Sequence, residues 1–390
     1  MRIALSKATV PAPAARREVP TVGLVGVNGH GVSHLRRLGP AHAQGRLRLA
    51  AVCDVRPPGP EARALLPAGV PVYADHRALL AAGAPDVLVV VTPPPTHLAI
   101  AGDALRAGAD VLLEKPPVTS LAEHDALAAV VAETGRRCQV GFQALGSAAL
   151  DELLAAIRAG RLGPVTGIGA AGTWVRDAAY FRRAPWAGRR AVVGAVTADG
   201  ALTNPFAHAV MTCLALVLAG GGPVTGIRVE RYRAHDIEVD DTACLRIDTG
   251  TGVPVLVAVT LCAATVRQPR VLVYGEEGTA ELYYAADELR LPGEAAARAV
   301  PGRIDLLTDL LAARDRPGAP LRAPLERTRP FTAVLERVLA APLHPVPPER
   351  VTPAPGEPGR LVIAGIDETV ATAAATLRLF SEFEEWPCAS

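Results

Sequence analysis

Residues 21–38 read TVGLVGVNGHGVSHLRRL, and the punctuation of that stretch decides the fold. The near-continuous apolar run over 21–27 has the composition of a strand buried on both faces. A glycine-rich turn follows, and from Val32 to Leu38 the spacing becomes helical. Strand, glycine turn and helix in that order are what a dinucleotide's pyrophosphate needs in order to sit on a helix N-terminus. The turn comprises Gly26, Asn28, Gly29, His30 and Gly31, in the pattern Gly-x-Asn-x-x-Gly. Asparagine stands where a middle glycine is usual. It is the non-glycine residue that best tolerates positive φ, so the turn is expected to survive.

The same rhythm continues outward. LRLAAVCDV (47–55), PDVLVVVTP (85–93), VLLEK (111–115) and CQVGF (138–142) read as strands, with helical stretches at 61–67, 76–82, 96–109 and 121–135. Apolar strands alternating with helices predict a parallel sheet covered on both faces. The expected fold class is α/β: a dinucleotide-binding, doubly wound Rossmann domain over 20–143. Beyond a helix at 150–163 the strand-like runs are joined by short Gly- or Asp-containing turns, as in an antiparallel sheet. The segment 144–383 is therefore expected to be an α+β domain with one large open, mainly antiparallel sheet. Helices are expected near 331–340 and 363–380, with an ordered or semi-ordered Pro-rich connection at 341–359. Residues 1–19 read as a loose tail.

Composition bounds the function. A chain of 390 residues exceeds one ordinary core, which supports two domains. A formal net charge of +1 removes the basic footprint of nucleic-acid binding. No run reaches the ~18–20 apolar residues of a membrane span, and the start lacks a secretory h-region, so a cytoplasmic location is expected. The six cysteines are scattered, without a Cys-x-x-Cys pair, and read as buried hydrophobes, with no metal site expected. His34, His42, His76, His124, His235 and His344 show no ligand spacing among themselves. Of the 40 basic residues only Lys7 and Lys115 are lysine, and asparagine occurs only at Asn28 and Asn204.

Those survivors point to chemistry. Lys115 ends an apolar strand inside Glu114-Lys115-Pro116-Pro117, and ligands of doubly wound sheets bind beyond the carboxyl ends of the strands. Arginine serves nearly everywhere else as the solvated cation, but near neutral pH only lysine can exchange a proton. Asp54 ends the second predicted strand, where an acid takes a ribose hydroxyl and repels a 2′-phosphate, which favours NAD over NADP. Arg56, two residues on, could meet such a phosphate and weakens that preference.

GLVGVNGHGVSHL (23–35), CDV (53–55), VTPPPTHLAIAGDALRAGADVLLEKPP (91–117) and the box Asn204-Pro-Phe-Ala-His208 together resemble the glucose–fructose oxidoreductase/inositol dehydrogenase (Gfo/Idh/MocA) family. The resemblance covers about residues 21–383. It implies hydride transfer between NAD or NADP and a sugar, polyol or related hydroxyl compound, and a homo-oligomer paired through the second-domain sheet. The family's Glu-Lys-Pro matches Glu114, Lys115 and Pro116, set against the cofactor. Its Asp-x-x-x-His matches Asn204 and His208 with the acid changed, and a further acid three residues on is Met211 here. Lys115 and His208 are thus expected to carry the proton chemistry, with Asn204 positioning substrate. Thr92 and Pro93 are expected to line the cofactor ribose. His97 is either close to the nicotinamide or an ordinary helix-start residue. Trp174, Arg176, Tyr180 and Arg183 suit a carbohydrate or carboxylate ligand, or form a loop packed on the sheet.

Two other readings stay open: a redox-neutral lyase, glycosidase or epimerase that returns the hydride it takes, and a non-catalytic NAD- or sugar-sensing protein. Net reduction of added NAD separates the first from a dehydrogenase. Retention of Lys115 argues against the second.

Overall fold

The computed structural model describes residues 19–316, 318–384 and 386, so all but the last residue of the expected tail lies outside the described residues. The alternation of the first lobe resolves into β1 (Thr21–Val25), α1 (Gly31–Ala43), β2 (Arg48–Cys53), α2 (Pro60–Leu65), β3 (Val72–Tyr73), α3 (His76–Ala82), β4 (Val87–Val90), α4 (His97–Arg106), β5 (Asp110–Leu113), α5 (Leu121–Thr134) and β6 (Cys138–Val140). The six strands form one sheet in the order β3-β2-β1-β4-β5-β6, and every pairing is parallel. All four residues of β4 and of β5 are buried, as their unbroken apolar sequence requires when helices cover both faces. Sheet order reverses between β1 and β4, which opens the ligand crevice at their carboxyl ends.

The second lobe contains α6 (Ala148–Arg158), β7 (Val165–Thr173), α7 (Ala178–Phe181), β8 (Ala191–Val192), β9 (Ala195–Val196), α8 (Ala207–Ala219), β10 (Val224–Arg233), β11 (Thr242–Thr249), β12 (Val255–Thr260), β13 (Arg270–Gly275), β14 (Gly278–Tyr283), β15 (Glu288–Arg290) and β16 (Arg298–Ala299). It closes with α9 (Leu306–Arg314), α10 (Arg329–Ala340), β17 (Leu343–Pro345), β18 (Val351–Pro353), β19 (Leu361–Ile363) and α11 (Ile366–Thr376). Nine strands form the large sheet in the order β16-β15-β14-β13-β7-β12-β11-β10-β17. Most pairs are antiparallel, whereas β7–β12 and β10–β17 are parallel. The Pro-rich connection is ordered and supplies β17 to the sheet edge.

Every residue of β12 (VLVAVT) is buried, so both faces of the sheet are covered there. On one face lies α8, apolar all round and buried from Ala209 to Val217. On the other lies α11, close enough that a Cβ on Gly169 would sit 2.1 Å from the Ala374 carbonyl oxygen. Tyr274 Oη donates to that same oxygen at 3.0 Å.

Sequence periodicity did not reveal α9, which turns back onto the first lobe. Gln139 Nε2 donates to the Leu306 carbonyl at 2.9 Å and to Asp309 at 2.8 Å. Arg314 pairs with Asp86 at 2.7 Å and with Asp110 at 2.8 Å. The approach to α10 packs on α5, where His124 Nε2 meets the Leu325 carbonyl at 3.0 Å.

Candidate active site

The turn after β1 is shaped for close backbone approach. Gly26 has φ 89°, and a Cβ there would lie 2.3 Å from the Val91 carbonyl oxygen; a Cβ on Gly31 would lie 1.8 Å from Gly26 O. The first amides of α1 donate back to the Asn28, Gly29 and His30 carbonyls at 2.9–3.2 Å, but its N-terminus has no side-chain cap and no acid in its first turn, which leaves its dipole open to an anion. These features fit a dinucleotide pyrophosphate. The positive φ expected of Asn28 is taken instead by Gly29, at 59°. The Asn28 side chain pins the next loop: Oδ1 accepts from Gly59 N at 2.9 Å, and Nδ2 donates to the Pro57 carbonyl at 3.4 Å.

Asp54 lies beyond β2 and braces the turn. Its Oδ2 accepts from Val27 N at 3.0 Å and Asn28 N at 3.1 Å, and its Oδ1 from Arg56 N at 3.0 Å. A carboxylate has about four acceptor positions, so capacity for a ribose hydroxyl remains. The Arg56 residue is exposed.

The fold brings Lys115 and Asn204 together across 89 positions of sequence. Lys115 Nζ donates to the Asn204 backbone carbonyl at 3.0 Å and to Asn204 Oδ1. The other end of that amide, Nδ2, donates to Asp199 Oδ1. Asp199 is 3% exposed, and both its oxygens accept from Arg183 Nη2 at 3.0 Å. Asn204 is thus an oriented dipole, its oxygen toward the ammonium and its amide toward the carboxylate. An aspartate at 204 would instead face Asp199 with like charge. The negative charge missing from position 204 stands on Asp199, one hydrogen bond behind the Asn204 amide and already paired with arginine. Sequence reading missed Asp199: Thr197-Ala-Asp199-Gly200 looks like any turn. Burial pushes the Lys115 ammonium below its ordinary value, against the pull of Glu114 and Asp199.

His208 sits in the first turn of α8, edge-on to Phe142 at a centroid distance of 6.0 Å, and its buried Nδ1 has no hydrogen-bond partner. Burial, reinforced by the Lys115 charge, pushes its imidazole down to about 3. The ring is therefore neutral throughout the working range, not poised near neutrality. Protonation is expected to cost stability. The unfolded chain binds a proton at ordinary histidine pKa, so between pH 6.5 and about 3 stability falls as pH falls. The slope from this one group is at most about 1.4 kcal/mol per pH unit. Urea midpoints measured from pH 7 to 5 should decline less steeply in His208→Asn than in wild type.

Glu114 is held on the opposite side of the strand end. Its Oε2 accepts from Lys115 N at 3.1 Å, while Oε1 lies 3.0 Å from His34 Nε2 and 3.6 Å from His30 Nε2. Burial pushes this carboxyl up, but hydrogen bonds from the two histidines hold it well below the usual range. His97 is 1% exposed, with Nε2 at 2.8 Å from the Thr92 carbonyl and Nδ1 at 3.0 Å from that of Pro116 and 3.2 Å from that of Pro117. It ties the Thr92–Pro93 turn to the Lys-Pro-Pro loop. Thr92 itself is half-buried and Pro93 exposed.

The aromatic–arginine stretch is contiguous with this centre. The Arg183 guanidinium lies 3.7 Å from the Tyr180 ring centroid, and that of Arg176 lies 4.9 Å from the same ring and 5.2 Å from Trp174. Trp174 stacks on Phe206 at 4.6 Å, two residues before His208.

Two groups of metal-ligating side chains, invisible in the spacing of His34 and His235, come together in space: His30, His34 and Glu114, and His235, Asp241 and Cys262. The second is fully buried, with His235 Nδ1 at 3.0 Å from Asp241 Oδ2 and 3.5 Å from Cys262 Sγ. Burial and the Asp241 charge push the Cys262 thiol well up, which keeps it protonated and a poor ligand.

A family model described as the oxidoreductase family, NAD-binding Rossmann fold, matches residues 21–142, and the GFO/IDH/MocA C-terminal domain model matches residues 150–281. Inositol 2-dehydrogenase of Pseudomonas fluorescens is 34% identical over 147 residues, which cover 36% of this chain and 42% of that protein. The scyllo-inositol 2-dehydrogenase (NAD(+)) of Bacillus subtilis is 37% identical over 78 residues, 20% of this chain and 23% of that protein. The matches thus span less than half the length of these curated relatives. Among solved structures, the WlbA dehydrogenase of Bordetella pertussis, in complex with NADH and UDP-GlcNAcA, superposes with a TM-score of 0.68. Identity is 23%, over 83% of this chain and 97% of that chain, and the likeness is one of fold.

Proposed function

The chain belongs to the GFO/IDH/MocA oxidoreductase family, and from that membership we propose that it is an NAD(P)-dependent dehydrogenase acting on a hydroxyl-bearing carbon of a sugar, polyol or related compound. The observation that carries the reading is Lys115, one of two lysines in the chain, placed beyond a strand end and bonded to Asn204 beside a neutral, unpartnered histidine. The curated relatives act on inositols by name, which fits a carbinol substrate.

The pyrophosphate would rest on the turn from Gly26 to Gly31, including Asn28, Gly29 and His30. Asp54 would take the adenosine ribose, and Thr92 and Pro93, braced by His97, would border the second ribose. Glu114 would hold the strand end against the cofactor. The nicotinamide supplies the hydride acceptor when bound. Lys115 Nζ then holds the substrate hydroxyl and stabilises the alkoxide charge developing on its oxygen. His208, neutral in the ring, is the acceptor for the hydroxyl proton, which would enter at Nε2 because Nδ1 is buried. Asn204 keeps the ammonium in register, and Asp199 with Arg183 keeps Asn204 in register.

Purified protein incubated with NAD and a panel of sugars and polyols should accumulate NADH in proportion to substrate consumed. Substrate conversion without net NADH would replace this reading with a redox-neutral one, and NAD binding without turnover of any compound would replace it with a sensor. The Asp54 carboxylate beside the ribose site favours NAD over NADP. Asp54→Ser is expected to narrow the NAD/NADP ratio of kcat/KM by at least ~10-fold, the effect of one like-charge contact. The reading includes a cytoplasmic enzyme; among the described residues no helix is long and apolar enough to cross a membrane. It also includes self-association through the second sheet, in those parts that α8 and α11 leave uncovered.

A further inference from the structure

Three cations, Lys115, Arg176 and Arg183, stand in this centre against two carboxylates, Glu114 and Asp199, so one positive charge is left over. Arg183 and Asp199 cancel in a two-oxygen pair. Lys115 bonds only to the neutral Asn204, and among the described residues no carboxylate forms an ion pair with it. Arg176 is the second such cation. It lies between the rings of Trp174 and Tyr180, one terminal nitrogen donates to the Val175 carbonyl at 2.9 Å, and no carboxylate among the described residues pairs with it. Its Nε is buried and has no hydrogen-bond partner. A half-buried guanidinium whose buried Nε–H is idle and which lacks a counter-charge is costly by itself, and that cost is relieved when a ligand brings an anion.

Arg176 is also in the right place. The Tyr180 ring is shared between Arg176 and Arg183, whose partner Asp199 holds the amide that holds Lys115. Trp174, on the other side of Arg176, packs against Phe206 at the start of the helix that carries His208. We infer that the substrate is an anionic sugar or polyol derivative, its carboxylate or phosphate received by Arg176 while the reacting hydroxyl lies at Lys115. This rests on the dehydrogenase reading and narrows it. Asn204 then has a rationale: with a charged substrate present, a carboxylate at that position would repel the ligand as well as Asp199.

The test compares matched compounds, with NAD present: glucose with glucuronate and glucose 6-phosphate, and myo-inositol with an inositol monophosphate. Wild type should turn over at least one anionic member with kcat/KM at least ~10-fold above its neutral counterpart, as expected for one charge-assisted pair. Arg176→Gln should raise KM for that anion about 10- to 100-fold more than for the neutral compound, mostly without a fall in kcat. Arg176→Lys should recover part of the loss, since it keeps the charge but not the fork. Whichever arm responds identifies carboxylate or phosphate. Equal or better turnover of the neutral members overturns the inference, and so does an equal loss for both kinds in Arg176→Gln. If wild type turns over nothing, the dehydrogenase reading fails on its own, and thermal shift decides the inference. The anions should then raise Tm in wild type and not in Arg176→Gln, and no stabilisation by any anion overturns it.

Discussion

Lys115→Met is expected to lower kcat by about 10³-fold with little change in Tm, or a small rise. The lysine combines two tasks that methionine cannot perform: donating a hydrogen bond to the substrate oxygen and stabilising the alkoxide. Positioned acid–base groups contribute roughly 10²–10⁴-fold, and removing a charged donor from a dry site falls within that range. The neutral Tm follows from the same burial that pushes the ammonium below its ordinary value, because a charge that is costly to bury does not hold the fold together. Lys115→Arg should not rescue activity, since a guanidinium keeps its proton and its fork does not fit a partner shaped for a point charge. Steady-state kinetics on whichever compound reduces NAD, beside a melting curve, checks both halves. Activity within ~10-fold of wild type in Lys115→Met would remove the lysine from the mechanism.

The second large effect is expected at Gly31. A methyl group there would meet a backbone carbonyl oxygen at 1.8 Å, and that carbonyl belongs to Gly26, which has φ 89° and is itself pressed so close to the Val91 carbonyl that a Cβ would lie 2.3 Å from it. Neither group can yield without reshaping the turn. Gly31→Ala should therefore weaken NAD binding by at least ~100-fold and cost about 2–4 kcal/mol of stability, as overpacking against immobile backbone does. Gly29 is the matched control. It has φ 59° but open space where a Cβ would go, so Gly29→Ala should cost only ~1 kcal/mol, the strain of a left-handed alanine. Calorimetric NAD titration and urea unfolding of the two variants would separate steric from conformational cost. Similar behaviour of both would mean that the turn is softer than its contacts imply.

The parts of this molecule that could be read along the chain are those carried by local periodicity. Parallel strands buried on both faces announce themselves as unbroken apolar runs, as in Val87–Val90, and the glycine turn after β1 sits where a strand gives way to a helix. The pairing of Lys115 with the 204–208 box came from family resemblance, since no local pattern joins positions 89 residues apart. Asp199 was out of reach for a physical reason: its role depends on an amide turning its two ends toward opposite charges, a tertiary fact. Asn28 misled because tolerance of positive φ is only a propensity, and here the side chain found better use holding the 57–59 loop. His97 could not be resolved either, because its ring nitrogens face three carbonyls on two separate loops, a tertiary arrangement.

The return of α9 and α10 to the first lobe has a consequence for the birth of the protein. A ribosome delivers β1 to β6 long before the residues that seal them have been translated. Until Leu306 and Asp309 emerge, the amide of Gln139 waits without its acceptors, and until Arg314 emerges, Asp86 and Asp110 lack their shared counter-ion. The nucleotide-binding half therefore leaves the exit tunnel unfinished, with one flank bare, and completes only after all the strands of the large sheet but β17 have been synthesised. A message cut short after residue 143 would release a chain with that flank still bare, its Gln139 amide, Asp86 and Asp110 without the partners that α9 supplies.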